Sequence, residues 1–425
     1  MFSYIEKLLH DPIKRNIAIN TIGNYLNVFF TALFALILVR IMSPAEYGVL
    51  SVLLGVTYVF ANILDFGTTA TIYSQVPVFY ESKDPRMYQF IKTAFFFQSI
   101  FSICVIITLF LFFPYFDSIF FKTGVEKWVL FVTTFSILLF IWQNFIGNIF
   151  AASKKFLASN IYINIANIVK TLTLLFFWYI GNISVGTVIF TFGIVGPTVY
   201  FMLATANHTQ FIPKLYSASI KKEEFQFKYT FTYFLSSQFY NLGLRMDLFL
   251  LSYFMIGAGL GHYGLAQKII LTIITSIVSI TQVLSPGFAA ITSKKEAKIQ
   301  IQKAFKYLLF PATIFVVLFF TPRFVFQLVF TNNFAETEAI TKALALPFIL
   351  NAIGSVPMLF LLYTVKKPSV ILYSNILFFI IISVGSYYLI PSKGVFGPPI
   401  AIGLAFIIAT LIQTITAWKE YKNLR

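Results

Sequence analysis

Pro44-Ala45-Glu46-Tyr47-Gly48-Val49-Leu50 follows the first long apolar segment of this 425-residue chain. A related stretch, Gly259-Leu260-Gly261-His262-Tyr263-Gly264-Leu265, follows the seventh apolar segment, so the shared Tyr-Gly pairs are 216 residues apart. The echo predicts that two half-chains share one fold. When a membrane protein is built from two such bundles, its working site is expected between them, where rocking of one half can expose it to each side in turn.

The composition is that of an integral membrane protein, with 58% hydrophobic and only 11% charged residues. A soluble domain would leave much of this apolar surface exposed to water. Crossing the hydrocarbon takes about 20 helical residues. Twelve segments of that length are predicted to span the membrane: 17–41, 49–74, 93–113, 128–150, 157–180, 185–207, 229–256, 264–289, 307–330, 341–363, 369–390 and 397–418.

The basic residues predict the orientation, because Lys and Arg concentrate in cytoplasmic connections. One alternating set of connections, together with both ends of the chain, holds 22 of the 31 Lys and Arg residues. Both termini are therefore expected in the cytoplasm. The predicted fold is all-α, with twelve transmembrane helices in two six-helix bundles. An even number of spans in each half makes the bundles parallel repeats about an axis along the membrane normal.

The predicted organisation has five parts and no soluble catalytic domain. Residues 1–16 form an N-terminal interfacial helix, because Phe2, Ile5, Leu8 and Leu9 share one helical face. Residues 17–207 form the N-terminal bundle and 229–418 the C-terminal bundle. A cytoplasmic linker occupies 208–228, and a cytoplasmic tail occupies 419–425.

The net charge of +16 does not indicate a nucleic-acid partner, because the cations are spread over seven cytoplasmic stretches with no separate basic domain. Topology explains them, together with contacts to anionic membrane lipids on the same leaflet. Cys104 is the single cysteine, which excludes an internal disulfide and a thiolate metal cluster. No metal and no cofactor is expected.

Polar residues recur at helical spacing inside several apolar segments, where such groups normally face protein or a wet cavity. One stripe in the second span runs from Ser51 through Asp65 to Thr69 in steps of four and three. Packing between helices through hydrogen bonds is the alternative explanation for any one of these residues. The predicted polar cavity lining is Asn24, Asn27, Tyr58, Asn62, Asn164, Asn167, Asn241, Thr272 and Gln282.

Ionisable residues inside spans are stronger functional candidates, because a charge facing lipid is costly. The cations are Arg40, Lys170, Arg245 and Lys268, and the anions are Asp65 and Asp247. A net positive cavity favours an anionic ligand, such as a phosphate or an acidic sugar. Residues two apart on a helix diverge by about 200°, so Arg245 and Asp247 are not expected to pair directly.

A family resemblance rests on three stretches: residues 38–48, from Leu38 to Gly48; Leu64-Asp65-Phe66-Gly67; and Asp247 with residues 263–269. They resemble the bacterial polysaccharide flippases, the O-antigen and capsule repeat-unit translocases of the multidrug, oligosaccharidyl-lipid and polysaccharide exporter superfamily. Met42-Ser43-Pro44 replaces the Leu-Gly-Pro usual in that family. The resemblance covers the whole chain in length, span number and orientation.

The resemblance implies a V-shaped protein of two six-helix bundles in the cell inner membrane. It would move an undecaprenyl-diphosphate-linked oligosaccharide from the cytoplasmic to the periplasmic leaflet. We hypothesise that Arg245, Lys268, Lys170 and Arg40 attract the diphosphate or acidic sugars. Asp65 or Asp247 would bind a coupling proton or sodium ion. A polysaccharide polymerase and chain-length proteins are the expected protein partners.

Three other classes of function remain open from the sequence: an antiporter, a membrane enzyme and a scaffold. A drug or cation antiporter of the same superfamily should have a more acidic cavity. A membrane-bound polysaccharide polymerase would show a large periplasmic loop, and an acyltransferase would need a catalytic histidine. His10 and His208 are predicted on the cytoplasmic side, and His262 is predicted to be a turn residue in an outer loop. A non-transporting assembly scaffold is the third alternative.

Overall fold

The computed structural model describes residues 12–65, 67–207, 214–215, 217–221, 227–289 and 291–424, and all the regular structure in these ranges is helical. The predicted helix within residues 1–16 lies mostly outside them. The helices of the N-terminal half are α1 (Pro12–Ile41), α2 (Pro44–Ile63), α3 (Thr68–Glu81), α4 (Arg86–Phe116), α5 (Lys127–Ala152), α6 (Phe156–Tyr179), α7 (Val185–Phe190) and α8 (Gly196–Asn207). Those of the C-terminal half are α9 (Phe227–Phe254), α10 (Ala258–Ala289), α11 (Lys294–Phe320), α12 (Arg323–Phe330), α13 (Thr337–Leu359), α14 (Pro368–Lys393) and α15 (Gly397–Asn423).

Within the described residues, nine helical stretches are long and apolar enough to cross a membrane. One of them, Pro368–Asn423, contains both α14 and α15. In addition, the Tyr25–Ile41 part of α1 forms a shorter apolar helix. The multi-pass character expected from the composition is therefore confirmed, whereas the number of twelve crossings stays a prediction.

The predicted span 49–74 is wrong as a single helix. It is divided between α2 and α3 by a turn in which Gly67 has a φ of 74°. This left-handed conformation is easy only for glycine. Asp65 therefore lies in the turn before α3, and the stripe from Ser51 to Thr69 does not follow one continuous helix.

Two other predicted boundaries are corrected. The span 307–330 ends early, because α11 stops at Phe320 and Pro322 has the extended backbone that separates it from α12. The echoed stretches are not loops, because each belongs to the first turns of a helix, α2 or α10. His262 is accordingly a buried helical residue rather than a turn residue.

Among the described residues, three π-helical turns continue regular helices, at Asp117–Phe121, Thr191–Val195 and Phe360–Thr364. Two of them follow a proline, Pro114 and Pro357, by three residues. Because proline has no backbone N–H and crowds the preceding turn, it disturbs the hydrogen-bond ladder at these places. The prolines thus explain where two of the long spans depart from the regular α-helix.

The chain divides into two compact units. The first contains Met1–Met42, Val56–Asp117 and Gly124–Phe234, and the second contains Ser43–Gly55, Ser118–Thr123 and Leu235–Arg425. Two segments of the N-terminal half therefore pack with the second unit. They are the beginning of α2 and the π-helical turn after α4. The predicted division at a 208–228 linker does not include this exchange of segments.

The core of the first unit is formed by apolar faces of α3, α4 and α5. Ile72, Phe90 and Phe145 are buried together in one cluster. A second cluster buries Phe150, Tyr162 and Tyr200 between α5, α6 and α8. Such dispersion contacts between helices stabilise membrane bundles, where water supplies no driving force between the faces.

The second unit has an aromatic core in which α11, α13, α14 and α15 meet. The ring of Phe406 lies 5.1 Å from that of Phe348 and 4.8 Å from that of Phe378. Phe315 extends this cluster, with its ring 6.0 Å from that of Phe348. All four rings are buried.

Inside the second unit, the two echoed stretches pack directly on each other. A Cβ atom built on Gly48 would lie 2.7 Å from the Gly261 nitrogen, and a Cβ atom on Gly261 would overlap the carbonyl of Pro44. One turn further, Gly264 packs against Ser51. These small residues let the backbones of α2 and α10 come into contact, as is common between membrane helices.

Candidate functional site

Asp247 is the centre of a buried hydrogen-bond network in the second unit. It lies on α9 and is only 1% exposed. Its carboxylate accepts hydrogen bonds from the Tyr263 hydroxyl at 2.5 Å and from Gln267 Nε2 at 2.8 Å. A third comes from the backbone N–H of Leu248 at 2.7 Å. Several donors are needed to hold a carboxylate at this depth, because burial removes its water.

Gln267 joins Asp247 to Arg245. Its Oε1 accepts a hydrogen bond from Arg245 Nη1 at 3.0 Å, while its Nε2 donates to Asp247. The two charged groups of α9 are thus connected through the amide of a residue on α10. This geometry agrees with the expectation that side chains two apart on one helix do not meet directly.

Lys268 lies beside this network and is exposed. It follows Gln267 on α10, and its charge interacts with that of Arg245. The two cations are therefore close enough for their charges to repel each other, and Arg245 is connected to the Asp247 carboxylate through Gln267. Such a pair is suited to binding a phosphate group. Arg donates hydrogen bonds to the phosphate oxygens, and the compact positive charge of Lys attracts them.

Beyond Lys268, the same face of α10 carries hydroxyl groups. Thr272 is half-buried, and Thr275 and Ser279 are exposed. Each hydroxyl donates to a carbonyl of its own helix, with Thr272 bonded to Lys268 O at 2.8 Å and Ser279 to Thr275 O at 2.9 Å. The oxygen lone pairs of these hydroxyls remain able to accept hydrogen bonds from a ligand.

In the first unit, Lys170 lies on α6 and is half-buried. Its ammonium lies 4.9 Å from the centre of the Phe192 ring, a cation–π contact. The aliphatic part of the side chain passes over Gly196, where a Cβ atom would lie only 2.6 Å from Lys170 Cδ. The glycine thus makes room for the lysine inside an apolar bundle.

Arg40 is an exposed residue near the end of α1, and its Nη1 donates to the Leu36 carbonyl at 2.9 Å. A cation in the last turn of a helix interacts favourably with the carbonyl end of the helix dipole. The position of Arg40 thus has a local structural explanation, and the structure adds no further argument for a role in binding.

Asp65 caps the beginning of α3. Its carboxylate accepts hydrogen bonds from Thr68 Oγ1 at 3.0 Å and from Thr69 Oγ1 at 2.8 Å. Thr69 Oγ1 in turn accepts a hydrogen bond from Asn148 Nδ2 at 2.7 Å, which connects the cap to α5. A carboxylate is favourable at a helix N-terminus, where backbone N–H groups and the dipole are unsatisfied.

The asparagine stripes of α1 and α6 bond these two helices together. Asn167 Nδ2 donates to Asn27 Oδ1 at 2.8 Å, and Asn164 Nδ2 donates to the Gly23 carbonyl at 3.2 Å. Asn167 is buried. The alternative of interhelical hydrogen bonding therefore explains these three asparagines better than a cavity lining does.

The remaining predicted lining residues differ in their surroundings. Tyr58 is 49% exposed, and its carbonyl accepts a hydrogen bond from Asn62 Nδ2 at 2.7 Å. Asn241 is half-buried on α9. The side chains of Asn24 and Gln282 lie outside the described residues. In the part of the chain that the structure describes, no group of three His, Cys, Asp or Glu residues could hold a metal ion.

Sequence reasoning did not assign Gln267 and Tyr263 to the site, although both contact Asp247. A usable signal was present, because two polar residues four apart on an otherwise apolar helix share one face. His262 lies on a different face, with its Nδ1 3.3 Å from Thr337 Oγ1.

Comparison with known proteins identifies the family of this chain. A model of the polysaccharide biosynthesis protein family matches residues 13–292, about two thirds of the chain. The chain belongs to that family. The resemblance to polysaccharide flippases drawn from the sequence is thereby confirmed. A search of curated protein sequences gives no match.

Solved structures show the fold of the family member. A multidrug resistance MATE family transporter of the MOP superfamily, inward-facing, has a TM-score of 0.73, with 13% identity and 95% of each chain covered. The lipid II flippase MurJ, in an inward closed conformation, has a TM-score of 0.71 and 15% identity, covering 93% of this chain and 87% of that chain. A MOP superfamily transporter from Pyrococcus furiosus has a TM-score of 0.63 and 13% identity, covering 98% of this chain and 97% of that chain. The polysaccharide biosynthesis protein is thus a multi-pass membrane protein with the fold of transporters and flippases.

Proposed function

We propose that this family member is a flippase for an undecaprenyl-diphosphate-linked oligosaccharide, such as an O-antigen repeat unit. It would carry the unit across the bacterial inner membrane by alternating access. The observation that carries the proposal is the adjacent pair of cations, Arg245 and Lys268, within apolar helices of a polysaccharide biosynthesis protein. A polysaccharide polymerase and chain-length proteins would act on the exported unit.

The pair fits a diphosphate for a physical reason. A desolvated diphosphate needs charge-assisted hydrogen bonds, each contributing about 1.5–3 kcal/mol. Arg245 can offer a planar set of donors, and exposed Lys268 offers a compact charge. The hydroxyls of Thr272, Thr275 and Ser279 continue from Lys268 along α10 and suit the sugar hydroxyls. In the first unit, Lys170 is the second candidate for an acidic group, and Arg40 is the weakest.

Ion coupling is the finer part of the proposal, with Asp65 and Asp247 as the two carboxylates that could bind a proton or sodium ion. Replacing aspartate by asparagine separates ion binding from a structural role, because asparagine caps helices as well as aspartate does. We therefore expect Asp65→Asn to leave thermal stability unchanged. Asp65→Asn and Asp247→Asn are each tested in reconstituted vesicles. The one that removes the coupling carboxylate should lose the acceleration of transport by an imposed proton or sodium gradient. Retained gradient dependence in both Asp65→Asn and Asp247→Asn would exclude these carboxylates.

Deletion of the gene in its own host tests the proposed function. We expect loss of the surface polysaccharide and its return when the wild-type gene is supplied on a plasmid. Susceptibility to cationic drugs should not change, because the proposed substrate is an anionic lipid-linked glycan. A drug antiporter would give the reverse pattern, with normal polymer and increased susceptibility, and that result would refute the proposal.

A further inference from the structure

A cavity of about 610 Å³ lies in the first unit, whereas the charged network described above belongs to the second. One wall is the end of α3, the turn after it and the beginning of α4, and the other is formed by Lys214, Ser217 and Ala218. Its lining includes Tyr80, Lys83, Tyr88, Gln89, Lys214 and Ser217. Nothing in the proposed flipping reaction uses these residues.

The second wall is attached firmly to the first. Lys92 Nζ donates to the Ala218 carbonyl at 2.8 Å, and the Lys221 backbone N–H donates to Thr93 Oγ1 at 3.0 Å. Leu215 packs against the buried cluster that contains Phe90. Contacts with α4 therefore hold the second wall of the cavity in place.

Two lysines line this cavity, one in each wall. Lys83 follows α3 with a φ of 53°, and the N–H of the next residue, Asp84, bonds to the Phe79 carbonyl at 2.9 Å, so this helix end is fixed in place. The ammonium of Lys214 lies 5.8 Å from the centre of the Tyr88 ring on the other wall. Each wall therefore contributes one basic residue to the lining.

The acidic residue of the lining is already engaged. Asp84 Oδ2 forms an ion pair with Arg86 Nη2 at 2.7 Å, and Asp84 Oδ1 accepts a hydrogen bond from the Arg86 backbone N–H at 2.9 Å. The side-chain hydrogen bond from Arg86 holds the pKa of the Asp84 carboxyl below its ordinary value. Asp84 therefore stays ionised and bonded to Arg86 at neutral pH, and the lining keeps an excess of positive charge.

Gln89 adds a polar acceptor. Its Oε1 is buried and has no hydrogen-bond partner among the residues that the structure describes. A buried acceptor without a donor is costly, so a shift of the Gln89 side chain toward a ligand hydroxyl in the cavity would be favoured. The cavity thus combines two cations, which suit a phosphate, with an acceptor, which suits a hydroxyl.

We propose that this cavity binds the headgroup of an anionic phospholipid that carries both a phosphate and hydroxyl groups, such as phosphatidylglycerol. Lys83 and Lys214 bind the phosphate, and Gln89 accepts a hydrogen bond from the glycerol hydroxyl. The turn between α3 and α4 is predicted to be cytoplasmic from its basic residues, and that leaflet is where anionic lipids attract Lys and Arg. The bound headgroup bridges the linker and α4. This inference does not depend on the transported substrate.

Native mass spectrometry of the full-length protein in mild detergent tests the proposal. Phosphatidylglycerol is titrated against phosphatidylcholine with the same acyl chains, which has the phosphate but not the hydroxyls or the net charge. We expect phosphatidylglycerol to bind at least tenfold more tightly. The double variant Lys83→Ala with Lys214→Ala should weaken its binding by about 10- to 30-fold, since each lysine near an anionic headgroup contributes a few-fold or more. Gln89→Leu should reduce the preference over phosphatidylcholine and preserve the charge.

The matched control is Lys295→Ala with Lys298→Ala, which removes two exposed lysines from the beginning of α11. This variant should bind phosphatidylglycerol as the wild type does. Equal loss in both double variants would show a general charge effect and overturn the proposal. Tighter binding of soluble glycerol phosphate or of undecaprenyl diphosphate at the same lysines would also overturn it, because the site would then serve a free phosphate or the transported lipid. Thermal unfolding without added lipid should be the same in all variants.

Discussion

Replacing Arg245 and Lys268 together by alanine is expected to abolish export of the surface polysaccharide. Each cation contributes about 1.5–3 kcal/mol to holding a phosphate group, and 1.4 kcal/mol is a factor of ten. Loss of both therefore lowers substrate binding by about 100-fold or more. The measurement is the amount of surface polymer in a deletion strain that carries the variant, normalised to the amount of protein in the membrane.

Two further variants make this experiment specific. Arg323→Ala with Lys393→Ala removes the same pair of residue types from exposed positions of the second unit, and it should support normal export. Arg245→Lys keeps the charge and loses the planar set of donors, so it should give an intermediate result. Normal polymer from the Arg245 and Lys268 double variant would refute the assignment of these residues. An equal loss in the Arg323 and Lys393 variant would do the same.

Gly261→Ala is expected to destabilise the second unit strongly. The new Cβ atom would overlap the Pro44 carbonyl, which is backbone and cannot turn away as a side chain can. Overpacking of this kind costs typically about 1–3 kcal/mol and occasionally more. We expect a lower thermal unfolding temperature in detergent and a lower yield of folded protein.

Gly259→Ala is the matched control for this change. Gly259 lies two residues earlier on α10, where a Cβ atom would meet the Val395 side chain at an ordinary distance of 3.4 Å. This variant should unfold close to the wild-type temperature. Gly48→Ala should resemble Gly261→Ala, because its Cβ atom would also meet backbone atoms. Equal stability of Gly261→Ala and Gly259→Ala would mean that α2 and α10 do not pack as described.

Most of the helices could be predicted from the sequence, because long apolar segments are unambiguous. The exceptions follow from local backbone chemistry. The spacing of polar residues continues from Asn62 to Thr69 whether or not the helix does, so the pattern alone could not locate the break. Gly67 and its left-handed backbone produce that break, and a glycine inside an apolar segment is a weak signal on its own.

The site could be predicted only in part. The type of a residue indicates the free-energy cost of placing it inside a membrane, but it does not indicate which residues it contacts. Asp247, Arg245 and Lys268 were identified as expensive charges, and the structure brings them into one neighbourhood with Gln267. For Asn27, Asn164 and Asn167 the same reasoning predicted a cavity lining, but the structure uses them to join α1 to α6. An amide serves either role equally well, and only the position of the neighbouring helix decides between them.

The central claim is that the protein moves a lipid-linked oligosaccharide between leaflets, and the leaflet in which this lipid accumulates tests it most directly. Spheroplasts of the deletion strain, without the polymerase, are treated with a membrane-impermeant reagent that modifies the glycan. We expect the lipid-linked oligosaccharide to be protected in the deletion strain and with the Arg245 and Lys268 double variant, and to be modified when the wild-type protein is present. Modification to the same extent in the deletion strain would contradict the claim.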